Sequence, residues 1–225
     1  PLSVQAQEAD GYSGASPAYS EPATPENWNT EYESELLPNT KQLITTGLRS
    51  GEGYFSADGS QFIFQSEVPG DNPFYQIYVR DLSTGSTSLV SPGVGLTSCS
   101  WIHPTEEKIM FSSTHEDPDA LVKQAKEIEI RESGIERPYG WDYDTAYDIY
   151  QANSDGSNIV NLTNSLGYDA EGSYSSDGRK ILFASNRDAY GRTLSLAEKK
   201  LLEDDSSYYM DLYMMDADCS LYKSD

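Results

Sequence analysis

The chain has 225 residues, with 37 Asp and Glu against 15 Lys and Arg, and its formal net charge is −22 at pH 7. This charge repels phosphate groups, so it excludes nucleic acid as a main partner and disfavours anionic membrane surfaces. No apolar run approaches the roughly 18 residues that a membrane-spanning helix needs, and we expect no membrane insertion. The 17 Tyr residues argue against disorder throughout the chain.

The first forty residues differ in composition from the rest of the chain. Residues 1–6 carry the small residues Val4 and Ala6 two positions apart, before a polar stretch. This pattern is typical of the end of a secretory signal peptide cleaved after Ala6, and an arbitrary fragment boundary is the alternative. Residues 7–40 contain no Lys or Arg and are acidic and rich in Pro and Ser, which predicts a tail or linker. We therefore expect an exported protein that is periplasmic or extracellular.

From residue 41 onward, one pattern recurs three times. GEGYFSADGSQFIFQS at 51–66 and EGSYSSDGRKILFASNR at 171–187 share an aromatic residue, a Ser, an Asp-Gly pair and an apolar strand that contains Phe. SCSWIHPTEEKIMFSST at 98–114 is a degraded third copy, in which we align Trp101 with Phe55. Each copy predicts two short strands, joined by a two-residue turn because an Asp-Gly pair supplies the positive φ that such a turn requires.

Each predicted hairpin is followed by a third strand, a turn and a fourth strand. The third strands lie in three Tyr-containing segments, YQIYVRDLSTGS at 75–86, YDIYQANSDGSN at 147–158 and MDLYMMDADCSL at 210–221. Four antiparallel strands per repeat are typical of propeller blades. We predict an all-β propeller segment over 41–225, which begins with an orphan outer strand at 41–47. It continues with about three blades, at about 48–93, 94–165 and 166–225.

These phrases resemble the repeats of TolB-like β-propellers, which are of the WD40-like or PD40 type. The resemblance rests on YFSADGSQFIFQS, YSSDGRKILFASNRD, DIYQANSDGSNIVNLTN and DLYMMDADCS, in which aromatic-Ser-x-Asp-Gly and Asp-Gly-Ser recur in register. It implies four-stranded antiparallel blades around a central channel, usually six of them. About three blades fall within this chain, so the resemblance implies that the remaining blades come from the same chain or from another subunit.

The second and third repeats carry long insertions between their second and third strands, and such insertions are usually functional or self-structured. In the first insertion, Asp117 is a predicted N-cap, Pro118 fits the first helical position and Gly134 the position past the helix end. In the second, Ser195 and Glu198 match a capping box. We predict a helix in each insertion, serving either as a lid over strand edges or as a partner-binding surface. The apolar stripe by which the first helix should lie on the propeller consists of Leu121, Ala125 and Ile128.

The loop after the first predicted helix places aromatic residues beside carboxylates. Trp141 and Tyr143 alternate with Asp142 and Asp144, a combination that suits a sugar, a peptide or a cationic group. The two acidic residues could also hold Ca²⁺ through their oxygens, although we expect no cofactor. The alternative is structural, with Trp141 packed against its own blade.

Further residues form the second part of this predicted binding patch. Because strands alternate in direction within a blade, the loop between strands two and three lies on the same face as the segment that enters strand one. Residues of both kinds of segment should therefore approach the channel mouth together. They are Asp169, Glu171, Asn186, Arg187 and Asp188. The alternative is that Asn186 and Arg187 bond carbonyls of neighbouring blades.

The sequence contains no catalytic motif that we recognise. It has no G-x-S-x-G elbow, no P-loop and no H-E-x-x-H, and its two His residues are His103 and His115. Cys99 and Cys219 lie far apart and give neither a metal-binding spacing nor a strong disulfide signal. We therefore predict no catalytic centre within these residues.

The resemblance implies an exported, non-catalytic platform of the bacterial envelope that binds a protein or peptide. An alternative of a different class is a propeller module that gates or supports a hydrolase, such as a peptidase, lying beyond residue 225. A further alternative is a glycan-binding propeller, which rests on Trp141, Tyr143 and their acidic surroundings.

Overall fold

The protein, in a computed structural model, is described over residues 36–135 and 140–218. The chain divides into two compact units, residues 1–43 and residues 44–225. The described part of the first unit includes a short turn in which the Thr40 hydroxyl donates a hydrogen bond to the Leu37 carbonyl oxygen, 2.8 Å away. The predicted signal-peptide end and most of the predicted tail lie outside the described residues.

Eleven strands among the described residues form three antiparallel sheets, and within each sheet every strand pairs with the strands that precede and follow it in sequence. Blade 1 consists of β1 (Arg49–Phe55), β2 (Gln61–Glu67), β3 (Gln76–Asp81) and β4 (Thr87–Leu89). Blade 2 consists of β5 (Thr97–Ile102), β6 (Lys108–Ser113), β7 (Asp148–Asn153) and β8 (Val160–Asn161). Blade 3 contains β9 (Asp169–Tyr174), β10 (Lys180–Ser185) and β11 (Asp211–Asp216). The predicted all-β fold with propeller blades is confirmed, and the fourth strand expected in blade 3 lies outside the described residues.

Residues 41–47, where the sequence predicts an orphan strand, form no strand in the structure. A strand needs a neighbour that bonds its backbone groups, and the neighbour expected for this segment is a strand of a blade other than the three described. Pairing with β2 begins only after the segment, where the Leu48 N–H donates to the Glu67 carbonyl oxygen at 2.7 Å.

The blades pack face to face, so β2 and β6 are buried on both sides, whereas β10 is buried mainly on the side that faces blade 2. Ile109 and Phe111 of β6 lie in the core shared with blade 1, whereas Met110 between them lies in the core shared with blade 3. This explains the apolar runs QFIFQS, KIMFSS and KILFAS, because successive side chains of a strand point to opposite faces. A stacked aromatic pair recurs in each blade, namely Phe64–Tyr78, Phe111–Tyr150 and Phe183–Tyr213.

One pair of apolar residues recurs on the face that each blade presents to the next. Ile63 and Ile77 of blade 1 lie in the core shared with blade 2, and Met110 and Ile149 of blade 2 lie in the core shared with blade 3. The strand register places Leu182 and Leu212 at these positions in blade 3. Their exposed fractions are 46% and 72%, so blade 3 presents an apolar face that further blades are needed to cover.

The turn between β1 and β2 is longer than the predicted two-residue turn. The Ser56 N–H donates to the Gln61 carbonyl oxygen, and the Gly59 N–H donates to the Ser56 carbonyl oxygen, both at 2.9 Å. Gly59 has a positive φ of +72°, whereas Asp58 does not. The Asp58 carboxylate accepts hydrogen bonds from the Ser60 N–H and the Ser56 hydroxyl. This is a four-residue loop, the longer kind of hairpin connection. The equivalent residues of blade 3 are Ser175, Asp177, Gly178 and Lys180.

The register also corrects the alignment of Trp101 with Phe55. Trp101 pairs with Met110, the residue before the stacked Phe of β6, whereas Phe55 pairs with Phe62, two residues before the stacked Phe of β2. The two hairpins close with the same spacing, from Ser56 to Gln61 and from His103 to Lys108, so the alignment made from the sequence is displaced by one residue. In a strand, a shift of one residue moves a side chain to the opposite face. Trp101 is therefore equivalent to Tyr54 of blade 1.

Both insertions contain the predicted helices. The predicted start of the helix in the second insertion is correct, whereas the helix in the first insertion starts later than predicted. The helices are α1 (Ala120–Glu132), α2 (Arg187–Gly191) and α3 (Leu196–Asp204). The capping box before α3 is formed, since the Glu198 N–H donates to the Ser195 hydroxyl and the Ser195 N–H donates to the Glu198 carboxylate. Asp117 does not cap α1. It accepts the N–H of Asp119 in the preceding turn, at 2.9 Å. Within the described ranges, no helix has both the length and the apolar character needed to cross a membrane.

The predicted apolar stripe of α1 is wrong, because the helix is rotated relative to the expected face. Leu121 is 64% exposed, and the buried residues are Ala120 and Gln124. The Gln124 side chain accepts the Gly95 N–H at 2.8 Å, so a polar anchor holds the helix on the segment that enters blade 2. A Gln at this position bonds a backbone group that would otherwise be buried without a partner. Gly134 follows the helix with a φ of +69°, as predicted.

Candidate functional site

The first strands of the three blades, β1, β5 and β9, succeed one another and each contains a β-bulge. Each bulge holds a non-glycine residue with a positive φ: Glu52 at 48°, Cys99 at 52° and Glu171 at 58°. The strand register makes these three residues equivalent. A bulge lifts a residue out of the regular pairing and redirects its side chain. Each blade therefore contributes one redirected residue to the same region.

These three residues line a cavity of about 620 Å³, which we name the channel-mouth cavity. Its volume lies within the range of about 300–1,000 Å³ that is typical of ligand pockets. The first strands of all three blades and one residue of the first insertion form its wall. The lining residues are Glu52, Tyr54, Cys99, Ser100, Trp101, Trp141, Glu171, Gly172 and Ser173.

Three aromatic residues take part in this wall. The rings of Tyr54 and Trp101, from different blades, have centroids 4.4 Å apart. The Trp141 indole N–H donates to the Tyr168 hydroxyl at 2.7 Å. Tyr168 is fully buried and packs edge-on against Tyr147, which is also fully buried. The aromatic wall is therefore attached to a rigid core and is preorganised.

The electrostatics of the cavity are dominated by two carboxyl groups. Partial burial raises the pKa of the Glu52 carboxyl above its ordinary 4.5, against a hydrogen bond with Cys99 that lowers it, and the charge of Glu171 raises it further. Burial, with the charge of Glu52 as the second cause, raises the pKa of the Cys99 thiol to about 12. Cys99 is thus a buried, protonated thiol at neutral pH, and a protonated thiol is a poor nucleophile.

One polar group in the wall has no partner. Ser100 is 1% exposed, and its hydroxyl oxygen makes no hydrogen bond with any of the described residues. A buried hydroxyl without a partner costs about 1–3 kcal/mol. Because Ser100 lines the channel-mouth cavity, a donor group held there could satisfy it.

Comparison with known proteins identifies the fold to which this chain is similar. No protein-family model and no curated protein matches the chain. A solved structure described as TolB from Agrobacterium tumefaciens matches with a TM-score of 0.50 and 18% identity, over 77% of this chain and 47% of that chain. The fold is that of a TolB-like β-propeller. TolB from Acinetobacter baumannii matches at a TM-score of 0.41 with 19% identity, over 64% of this chain and 28% of that one. The tricorn protease matches at 0.40 with 14% identity, over 62% and 11%.

The chain therefore spans less than half the length of the TolB structures that it resembles. At these identities the similarity shows the fold alone, and the site of this TolB-like propeller has to be argued from its own residues.

Of the nine residues predicted for the binding patch, the structure brings Trp141 and Glu171 into the channel-mouth cavity. Asp142 lies beside it, and burial and the charge of Asp144 raise the pKa of its carboxyl. Tyr143 packs edge-on against Tyr168, with centroids 5.1 Å apart. Asp144 forms an ion pair with Lys123 of α1.

The other four predicted residues mainly hold the second insertion on blade 3. Asp169 is fully buried and pairs with Arg187, with a nitrogen–oxygen distance of 2.6 Å. Asn186 is also buried, and its side chain accepts the Tyr168 N–H and donates to the Ser206 carbonyl oxygen. Asp188 pairs with Arg192 at 2.8 Å. The Asn186 side chain thus bonds a backbone carbonyl, as in the structural alternative given above, but its bonding partners belong to its own blade and not to a neighbouring one. Binding roles for the nine residues remain predictions.

Sequence reasoning missed most of the cavity wall. The missed residues are Glu52, Tyr54, Cys99, Ser100, Trp101, Gly172 and Ser173. One signal was available: a Glu-Gly pair stands at the same distance before the turn glycine in the first and third repeats, at Glu52-Gly53 and Glu171-Gly172. Its meaning depends on the bulge, which is a property of strand pairing and has no local sequence signature here.

Both His side chains contact neighbouring groups of the fold, and these contacts bear on whether they could bind a metal ion. His103 is buried and its ring bonds the Gly178 carbonyl oxygen and the N–H of Glu106. His115 packs against Tyr150, and burial lowers the pKa of its imidazole. Across residues 36–135 and 140–218, no group of three His, Cys, Asp or Glu side chains could hold a metal ion. Binding of Ca²⁺ by Asp142 and Asp144 stays a prediction, and the Asp144 carboxylate already forms an ion pair with Lys123.

A second cavity, of about 650 Å³, lies beside α1 and shares Trp141 with the channel-mouth cavity. Its wall contains the buried carboxylate of Glu67, which pairs with Arg49 at 2.5 Å and with Arg131 of α1. Because one buried carboxylate holds both cations, the helix is fixed on blade 1. The two cavities therefore adjoin at Trp141.

Proposed function

We propose that this chain is a non-catalytic propeller module that binds a protein or peptide partner at the channel-mouth cavity. The observation that carries the proposal is the convergence of one bulge residue from each blade on a preorganised cavity. Non-glycine residues in the left-handed region cost roughly 1–3 kcal/mol each and occur mainly at functional sites. The TolB-like fold supports a platform that presents its loops and channel mouth to a partner.

The non-catalytic part of the proposal is supported by the state of the reactive groups. The thiol of Cys99 is buried with a raised pKa, and His103 and His115 are engaged in packing and turn formation. The hydroxyl of Ser113 lies 3.1 Å from Nδ1 of His115, but Ser113 is fully buried and its hydroxyl also bonds that of Thr97, so this pair is not open to a substrate.

Photo-cross-linking tests the platform. p-Benzoylphenylalanine placed at Ser173 faces the channel-mouth cavity, and the matched control at Glu107 lies in the β5–β6 turn on the opposite side. In the native host we expect a saturable protein adduct at position 173 and none at 107. The captured protein, once purified, should bind the wild-type chain and compete for the adduct. Equal adducts at both positions, or none at 173, would contradict the proposal.

We also propose export to the periplasm or beyond, and participation of further blades from the same chain or another subunit. The pattern of small residues at 1–6 supports export, and the exposed face of Leu182 and Leu212 supports further blades. Cell fractionation with N-terminal sequencing tests the first inference. The expected result is a mature protein in the exported fraction that begins at Gln7; a cytoplasmic protein retaining residues 1–6 would refute it.

A further inference from the structure

The charge and chemistry of the channel-mouth cavity restrict what can enter it. Two carboxylates, Glu52 and Glu171, face it, and no Lys or Arg is among its described lining residues. The pair is close enough for the charge of one to act on the other. The net charge of −22 adds a long-range attraction for positive groups. A cation in the cavity would relieve the repulsion between the two carboxylates.

The aromatic wall distinguishes an organic cation from a metal ion. Tyr54, Trp101 and Trp141 line the cavity. The face of an aromatic ring attracts an ammonium or guanidinium group within about 6 Å of its centroid. Ca²⁺ instead requires about six to eight oxygen ligands. Among the described residues no acidic cluster of metal-binding size exists, so the wall is better matched to a group that is part cation and part hydrocarbon.

The unpartnered hydroxyl of Ser100 supplies an independent indication of a ligand. Ser100 lines the cavity, and its buried hydroxyl oxygen has no hydrogen-bond partner among the described residues. An ammonium group has three N–H donors, and the wall offers three acceptor groups: the Glu52 carboxylate, the Glu171 carboxylate and the Ser100 hydroxyl. Guanidinium is a planar fork suited to a single carboxylate in bidentate geometry, whereas ammonium is a compact charge that can serve separate acceptors.

We propose that the channel-mouth cavity binds the side-chain ammonium of a lysine in the partner, with Glu52, Glu171 and Ser100 as acceptors and the aromatic rings around its aliphatic stem. The cavity, at about 620 Å³, has room for the whole side chain and adjoining backbone. This inference rests on the proposed function and specifies the chemical class of its ligand.

Matched peptides test the inference. The probes are acetyl-Gly-Gly-Lys-Gly-Gly-amide and the same peptide with norleucine, which keeps the stem and lacks the charge. Binding to the full chain is followed by Trp fluorescence and by NMR titration. We expect the lysine peptide to bind at least tenfold more tightly than the norleucine peptide. We also expect this preference to shrink at high salt, since part of it is Coulombic.

Variants of the wall locate the site. The double variant Glu52→Gln and Glu171→Gln keeps the side-chain shape and should reduce lysine-peptide affinity at least tenfold, and Trp101→Leu should reduce it several-fold. Glu203→Gln, on the exposed surface of α3, is the matched control and should leave affinity unchanged. Circular dichroism checks that each variant is folded. A third probe is the same peptide with arginine in place of lysine. Equal binding of the lysine and norleucine peptides, unchanged affinity in the double Gln variant, or tighter binding of this arginine peptide would overturn the inference.

The outcome also separates this inference from the proposed function. If adducts form at position 173 but neither peptide binds, or both bind equally, the platform stands and lysine recognition fails. If lysine binds with the expected selectivity but no protein adduct forms, the pocket stands and the protein-binding role fails.

Discussion

At the scale of single residues, the backbone conformation at the three bulge positions lowers the stability of the fold. Glycine adopts a positive φ without steric cost, whereas a residue with a Cβ atom pays roughly 1–2 kcal/mol in the left-handed region. Glu52, Cys99 and Glu171 all stand in that region. The two Glu residues also hold like charges near each other at the cavity wall. Both costs disappear if the side chains are removed.

We therefore predict that Glu52→Gly raises the free energy of unfolding by about 1 kcal/mol, because the strain at φ 48° is relieved. Urea denaturation measures the change. Ser88→Gly, in the exposed strand β4, is the control and should lower stability by about 0.5–1 kcal/mol. A Glu52→Gly variant that is less stable than wild type would mean that the carboxylate supports the fold.

The turn residue Asp58 gives a pH dependence. Hydrogen bonds from the Ser60 N–H and from the Ser56 and Ser60 hydroxyls lower the pKa of its carboxyl from the ordinary 3.8 to about 2. A group whose pKa falls on folding stabilises the fold above its unfolded pKa, and the contribution is lost as pH falls through the folded value. We expect the stability difference between wild type and Asp58→Asn to shrink between pH 4 and pH 2. Urea midpoints across that range measure it, and a constant difference would contradict the assignment.

At the scale of elements, buried polar contacts attach the insertions to the blades. Arg187, at the start of α2, pairs with the buried Asp169 of β9 and lies over the ring of Phe183, 4.9 Å from its centroid. Gln124 of α1 bonds the Gly95 N–H. Both insertions are thus tied to the segments that enter or form the first strands. The cavity wall is stiffened by contacts that do not themselves reach the cavity.

Breaking the Asp169–Arg187 pair should be costly. Burial raises the pKa of Asp169, against the lowering effects of its Ser185 hydrogen bond and of Arg187. We expect Arg187→Leu to lower the free energy of unfolding by roughly 3 kcal/mol, near the low end of the range for breaking a buried pair, because the Arg187 side chain is 27% exposed. Adding Asp169→Asn should restore much of the loss. A double variant as unstable as the single one would argue against a buried-charge penalty.

The polar anchor of α1 gives a second prediction at this scale. Gln124→Ala leaves the buried Gly95 N–H without its acceptor and should cost about 1–3 kcal/mol. Val122→Ala, at a position of α1 that is 65% exposed, is the control and should change stability by less than about 0.5 kcal/mol. Thermal unfolding compares the two. Similar effects of both substitutions would show that Gln124 does not anchor the helix.

Sequence reasoning succeeded for those elements whose signals are local. The capping box at Ser195 and Glu198, the glycine after α1 and the apolar second strands depend on residues a few positions apart. It failed for the face of α1, because Gln124 is buried by a bond to Gly95, which is distant in sequence. It also failed for most of the cavity, because the bulges depend on the pairing between strands and on the neighbouring blades.

At the scale of the whole molecule, the same interface is repeated from blade to blade and then left open. Leu182 faces Met214 in the register of blade 3, and Leu212 is two residues before Met214. The blade 2 equivalents of Leu182 and Leu212 are Met110 and Ile149, and both are fully buried. A contiguous apolar sheet face of this kind is a site of association.

We predict that the chain studied alone self-associates through this face. The double variant Leu212→Lys and Met214→Lys should remain monomeric at protein concentrations where wild type forms larger species, because it places two charges in the apolar face. Sedimentation velocity measures the distribution. Leu121→Lys, on α1, is the control and should behave as wild type. Association that persists in the double variant would place the contact elsewhere.

The bulges have a consequence for how such a protein can change over time. Each blade keeps its packing residues in the regular pairing and its wall residue outside it, so the two sets can vary independently. Replacing Glu52, Cys99 or Glu171 changes one part of the cavity wall and leaves unchanged the apolar cores between the blades, which contain residues such as Ile63 and Met110. A new ligand preference is therefore accessible by substitution at three positions, one per repeat, without rebuilding the ring.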